Sequence, residues 1–427
     1  MIANKNQFMK TANIQLSISL SYFIFALLFN ATTLENISVL TQMTYDYKIG
    51  TKTVNALPVF QIVAFILVAI FVAPFVKKIS YKKIQTILLS SAFVACCLIP
   101  LVKSFWIALF LFLLTGASLA YIRLVAYHFI NEVTESKHMK ASLLLRLESM
   151  PLIGFALGII LFGIIGKVFT EWYNVYWFVA ILIAINLCIL LLEKQPEIIK
   201  KKALELNVKS FFSKGISDFI QISSHTLIQM FVISSLFLFF TEAQIHNWAF
   251  EFTKNALKSN GNLKVQLFFA ILITSFVSRL VTSYVILYIR PFWLLTILLV
   301  ITLSLVLIIT GITWQTNNVP VENWYNLSAE FLMIPLIIVA WSAALPIIYS
   351  IVLTNVPKSH FGSMTGFILL ISEFTYLLGT FFSGYIFTVL NYKVAFFISM
   401  LSLTLFSVVT VVFLTDIRKP TNKKKIE

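Results

Sequence analysis

Apolar runs of about twenty residues recur along the whole chain, separated by short polar turns, and this constrains the fold more than any other feature. In hydrocarbon each backbone N–H and C=O must be satisfied within the protein, so such a run crosses as an α-helix. The runs fall at about 14–37, 54–76, 84–102, 105–130, 141–166 and 172–192. A second set falls at about 219–243, 265–289, 292–314, 326–354, 362–390 and 393–415. Only 11% of the residues are charged, where a soluble domain has about 25%. Period-two alternation does not recur, which argues against a membrane β-barrel. The expected fold is an all-α membrane protein with twelve transmembrane helices in two pseudo-symmetric six-helix bundles.

The expected domains are 1–193, an N-terminal bundle; 194–218, a polar linker with Lys200, Lys201 and Lys202; and 219–427, a C-terminal bundle ending in a basic tail. Each half carries a basic turn after its second span, Lys77 to Lys83 in the first and Arg290 in the second. The lysines and arginines concentrate in alternate loops. By the positive-inside rule this puts both termini and the linker in the cytoplasm. Polar residues lead into a first span with no cleavage site after a short apolar core, so that helix is expected to be retained. The setting expected is the cytoplasmic membrane of a bacterium.

The net charge of +15 does not indicate nucleic acid, because the bases sit in loops between spans. Cys96, Cys97 and Cys188 all lie inside apolar runs, so neither a disulfide framework nor a metal site is expected. The chain has no phosphate-cradling glycine loop, no His-Glu-x-x-His and no nucleophile elbow. An enzyme and a bound cofactor are therefore not expected. The expected partners are the lipid bilayer, a small-molecule solute and protons as coupling ion, with the protein a monomer.

Intramembrane charges are costly and mark functional sites by default. Arg123 and Glu148 each lie about seven residues from the polar turn 131–140, hence at one depth, about 10 Å inside the same face. The guanidinium suits a carboxylate or phosphate on a solute. The same two residues could form a structural pair, or Arg123 could snorkel to the interface. A solute that takes over Arg123 would release Glu148 to bind a proton. Glu373 lies near mid-span and Glu35 toward the end of the first span; both are candidate proton sites. Asn30, Asn36 and Asn247 are candidate solute contacts, and Trp248 beside His246 suits either a lid or an interfacial belt. Lys77, Lys78 and Arg279 are candidate gate residues.

The turn Ala73-Pro74-Phe75-Val76-Lys77-Lys78-Ile79-Ser80-Tyr81-Lys82-Lys83 resembles the major facilitator superfamily signature Gly-x-Leu-Ala-Asp-Arg-x-Gly-Arg-Lys. Ala73 stands for the first Gly, Lys77 for the Asp and Ser80 for the second Gly. Pro346, followed by the polar turn Pro357 to Gly362, is similar to the family's junction between its tenth and eleventh helices. Within the superfamily, Ser278-Arg279-Leu280 and Tyr288-Ile289-Arg290-Pro291 resemble the fucose-permease-like sugar–proton symporters. Leu34-Glu35-Asn36-Ile37 aligns with a stretch of their first helix that has a proton-binding Asp where Asn36 stands. Arg123 aligns with an essential Glu of their fourth helix. The resemblance implies two rocking bundles with a solute site between them. The function expected is secondary active transport of a small polar solute, tilted toward an organic anion or zwitterion by Arg123. A neutral sugar, or a non-transporting sensor on the same fold, are the alternatives.

Overall fold

The computed structural model describes residues 2–30, 37–54, 56–134, 136–162, 171–192, 261–313, 341–356 and 360–389, with parts of 217–241, 336–339 and 398–410. The principal helices are α1 (Ile2–Asn30), α2 (Ile37–Tyr47), α3 (Leu57–Phe71), α4 (Tyr81–Val102), α5 (Phe105–Val133) and α6 (Lys137–Ile160). They continue with α7 (Val175–Leu192), α8 (Gly261–Val285), α9 (Pro291–Thr313), α10 (Ala344–Thr354) and α11 (Phe361–Val389). Among the described residues, 7 helices are long and apolar enough to cross a membrane. They coincide with the runs expected at 54–76, 84–102, 105–130, 141–166, 172–192, 326–354 and 362–390.

Several boundaries differ from the sequence reading, two of them for a plain local reason. Helix α1 starts at Ile2 rather than near 14, because Lys5, Gln7, Met9, Lys10 and Ala12 are good helix formers and extend the span outward. The second span gives up its α-helix at Phe71, and Ala73–Lys78 form a tighter 3₁₀ segment. Pro74 has no N–H for a continuing ladder and its ring crowds the preceding turn.

The described residues group into two compact units. The first comprises Met1–Glu135, Leu147–Phe219 and His360–Phe367; the second comprises Ser136–Arg146, Ile220–Ser359 and Ile368–Glu427.

In the first unit α5 is central and packs on α3, α1 and α4, while α4 lies along α7. The crossing of α3 and α5 depends on Gly116, where any Cβ would collide with the backbone carbonyl of Gln61. Close backbone approach at a small residue is the usual source of adhesion between helices in lipid. Here it is locked by Gln61, whose Nε2 donates to Thr115 Oγ1 at 3.1 Å and to the Phe29 carbonyl at 3.4 Å. A second polar tie joins three helices. Ser21 Oγ accepts from Gln85 Nε2 and from Asn186 Nδ2, both at 2.6 Å, with all three side chains buried. Each such bond contributes about 1 kcal/mol, and Gln85 Nε2 is tied to α1 a second time through the Ser17 carbonyl and Oγ, both at 3.4 Å. The start of α11 also packs here, with Gly362 and Gly366 against the backbone carbonyls of Ala73 and Ala69.

The second unit holds α8, α9 and α10 together with the first turns of α6. At the end of α8 the amides of Leu287 and Tyr288 step back three residues, to the carbonyls of Tyr284 and Val285. One face of α6 covers this end. His138 Nδ1 donates to the Ile286 carbonyl at 2.8 Å, Ser142 Oγ donates to the Ser283 carbonyl at 2.6 Å, and Arg146 Nε donates to Ser283 Oγ at 3.3 Å. Arg146 also stacks on the Tyr284 ring, 4.6 Å from its centroid. The four-residue spacing of 138, 142 and 146 sets the three donors in a row along one face of the helix.

Candidate functional site

The chemistry concentrates where α1, α5 and α6 meet in the first unit. Arg123 and Glu148 form a two-pronged ion pair, with Nη2 to Oε2 at 3.2 Å and Nε to Oε1 at 3.3 Å. The parallel N–H donors of a guanidinium fit a carboxylate in this manner, which gives orientation as well as energy. The pair is thoroughly enclosed, Arg123 being 7% and Glu148 3% exposed. Two tyrosines complete the cage. Tyr127 OH donates to Glu148 Oε1 at 2.6 Å, and Tyr22 OH reaches both carboxylate oxygens at 3.1 and 3.2 Å. The Tyr22 ring also faces the guanidinium, 5.9 Å from its central carbon.

Local sequence explains the arrangement. Tyr127 follows Arg123 by four residues and so shares its face of α5. Tyr22 comes from α1, which approaches α6 closely because Gly154 lies against the Phe23 carbonyl. Pro151 lies inside α6 three residues beyond Glu148. It cannot donate to the carbonyl of Leu147, so the helical ladder is interrupted beside the buried acid.

In the second unit Arg279 is also buried and donates from Nε to the Ser342 carbonyl at 2.9 Å. The reason lies four residues further on. Pro346 has no N–H, so the Ser342 carbonyl lacks its helical donor and Arg279 supplies one. Ser278 Oγ, on the preceding residue of α8, donates to the Val339 carbonyl. Glu373 is half-buried on α11, about 18 Å along from Phe361.

The structure thus brings together Arg123 and Glu148, as their equal depth predicts. Arg279 and Glu373 belong to the second unit. Lys77 is half-buried in the 3₁₀ segment and close enough to His128 to act on it electrostatically, as is Glu132. Asn30 closes α1, and its side chain, like that of Lys78, lies outside the described residues. Glu35, Asn36, His246, Asn247 and Trp248 lie outside them altogether. The sequence reading missed Tyr22, Tyr127 and the role of Pro346. The spacing of Tyr127 from Arg123 was an available signal; Tyr22, 126 residues from Glu148, left none.

Apolar spans and glycine-mediated helix crossings define a helical, multi-pass membrane protein with a caged, buried ion pair. A family model described as the Major Facilitator Superfamily matches residues 18–325. The chain belongs to that superfamily. No curated protein matches it. Among solved structures, it is similar to the human organic anion transporter MFSD10 (TETRAN), at 14% identity and a TM-score of 0.67, over 93% of this chain and 99% of the other. It is similar to the transporter FucP in the outward conformation, at 13% identity and a TM-score of 0.66, over 93% and 98%. A variant of the E. coli fucose:proton symporter FucP gives 12% identity and a TM-score of 0.63, over 95% and 98%. At these identities the likeness is one of fold, and the fold is the twelve-helix, all-α one expected from the sequence.

Proposed function

We propose that the protein is a secondary active transporter that moves a small organic anion or zwitterion across the cytoplasmic membrane by alternating access, with protons as the coupling ion. The observation that carries this reading is the caged Arg123–Glu148 pair. A buried ion pair contributes little net stability, and leaving one partner alone costs several kcal/mol. Such a pair is therefore a two-state element. With the carboxylate on the guanidinium, both charges are neutralised internally. A solute carboxylate or phosphate that takes over Arg123 leaves Glu148 buried and without its cation. Taking up a proton removes that cost, and the two tyrosine hydroxyls remain to hold the neutral acid. Solute binding and proton uptake are coupled through one side chain.

In this reading the protein works as a monomer, both termini face the cytoplasm, and residues 1–193 and 219–427 are the rocking bundles. Lys77, Lys78 and Arg279 serve the gate, Glu373 and Glu35 are further proton sites, and Asn30, Asn36 and Asn247 contact the solute. The similarity to a fucose:proton symporter supports a second reading, a neutral sugar as solute. A thermal-shift screen of organic acids, amino acids and sugars, followed by proteoliposome uptake under an imposed pH gradient, separates these. The proposal expects stabilisation by anions that is lost in Arg123→Ala, and pH-driven flux that is lost in Glu148→Gln while binding is kept. Anion stabilisation that survives Arg123→Ala would defeat the assignment. Binding without flux would indicate a sensor.

A further inference from the structure

On the outer side of the first unit, α4 and α7 leave a groove of about 620 Å³. Phe93 and Cys97 of α4 form one wall. On α7 the lining runs from Trp177 to Leu192, a length of about 22 Å. One leaflet contributes about 15 Å of hydrocarbon, so the groove spans more than an acyl chain's depth. Ala184 and Cys188, one turn apart, keep the floor low between larger neighbours. The rim is open to the outside, with Ile181 58% and Leu192 83% exposed.

One end of this apolar channel is cationic. Lys82 Nζ donates to the Leu191 carbonyl at 3.1 Å, which holds an ammonium beside the groove's last lining residue. Lys83, next in sequence, is exposed. These are the first residues of α4, where the span meets the interface. A long hydrocarbon trough with the Lys82 ammonium at its end, and a second lysine next to it in sequence, matches one kind of molecule. It must carry a long apolar chain and an anionic head. A helix, about 10 Å across with its side chains, is too broad for a channel of this form. A negative lipid headgroup is attracted to nearby basic residues, so Lys82 and Lys83 favour an anionic head over a zwitterionic one.

We propose that this groove is a binding site for an anionic phospholipid of the surrounding bilayer, its acyl chain lying along α7 and its phosphate at Lys82 and Lys83. The site is separate from the Arg123–Glu148 cage and does not depend on the solute. Its test uses delipidated, detergent-purified full-length protein and native mass spectrometry with phosphatidylglycerol and phosphatidylcholine of equal chain length. The wild type is expected to retain phosphatidylglycerol severalfold better. Lys82→Gln combined with Lys83→Gln abolishes that preference, and Ala184→Trp, which fills the floor, removes retention of both lipids. A second measurement keeps both lysines and makes only one conservative change in the groove wall. With Cys97→Ser, an environment-sensitive fluorophore on Cys188 is quenched more by phosphatidylglycerol brominated on its acyl chain than by the matching phosphatidylcholine. Equal retention and equal quenching of the two lipids overturn the proposal. So does a wild-type dimer that crosslinks through Cys188, because the occupant is then a second copy.

Discussion

Replacing Arg123 by Met removes the cation and leaves most of the side chain's volume. Glu148 is then a carboxylate 3% exposed, held only by neutral hydroxyls among the partners described above. Orphaning one member of a buried ion pair costs about 3–5 kcal/mol. Glu148→Gln strands the guanidinium and should cost a similar amount. In the double variant neither charge remains, and the glutamine carbonyl still accepts from Tyr22 and Tyr127. Its cost should fall below that of either single change, which implies a coupling energy of at least about 3 kcal/mol. The assay is thermal unfolding of the four proteins in one detergent at neutral pH. Additive single costs would refute the two-state argument on which the proposed coupling rests.

Arg279→Ala should cost about 1–3 kcal/mol by leaving the Ser342 carbonyl unsatisfied. Adding Pro346→Ala restores a backbone donor and should recover part of the lost melting temperature; no recovery would separate Arg279 from Pro346. Gly116→Ala should abolish expression of folded protein, measured by size-exclusion chromatography of a fluorescent fusion, because its Cβ meets backbone rather than a movable side chain. Lys48 ends α2 at φ 52°, with the Ile49 amide bonded to the Thr44 carbonyl as in a left-handed helix cap. Lys48→Gly should therefore raise stability by up to about 1 kcal/mol, and a lower melting point would contradict the strain argument.

The spans and the meeting of Arg123 with Glu148 were legible because both follow from distance along a helix. Apolar length fixes a span, and equal separation from a turn fixes equal depth. What was not legible depends on which helices become neighbours. Tyr22 reaches Glu148 only once Gly154 lets α1 and α6 close up, and Gln85 meets Asn186 only through Ser21 on a third helix. Arg279 was read from its position as a gate residue, and its partner turned out to be a carbonyl orphaned by Pro346. The proline was visible in the sequence, and the carbonyl it strands can be located by counting back four residues. The side chain that answers it is set by tertiary packing.

The row of donors on α6 has a consequence for how this contact can change over time. Two of its three acceptors are peptide oxygens, at Ser283 and Ile286. A peptide oxygen is present whatever side chain occupies the position. Those two bonds are therefore blind to which side chain occupies the acceptor position; Ile286 itself is fully buried, so packing and not the bond limits its exchange. The specification of the two bonds resides in His138 and Ser142. In a set of random variants, exchange of Ile286 among apolar residues of similar size together with intolerance at two positions four residues apart on α6 would be the mutational imprint of one contact.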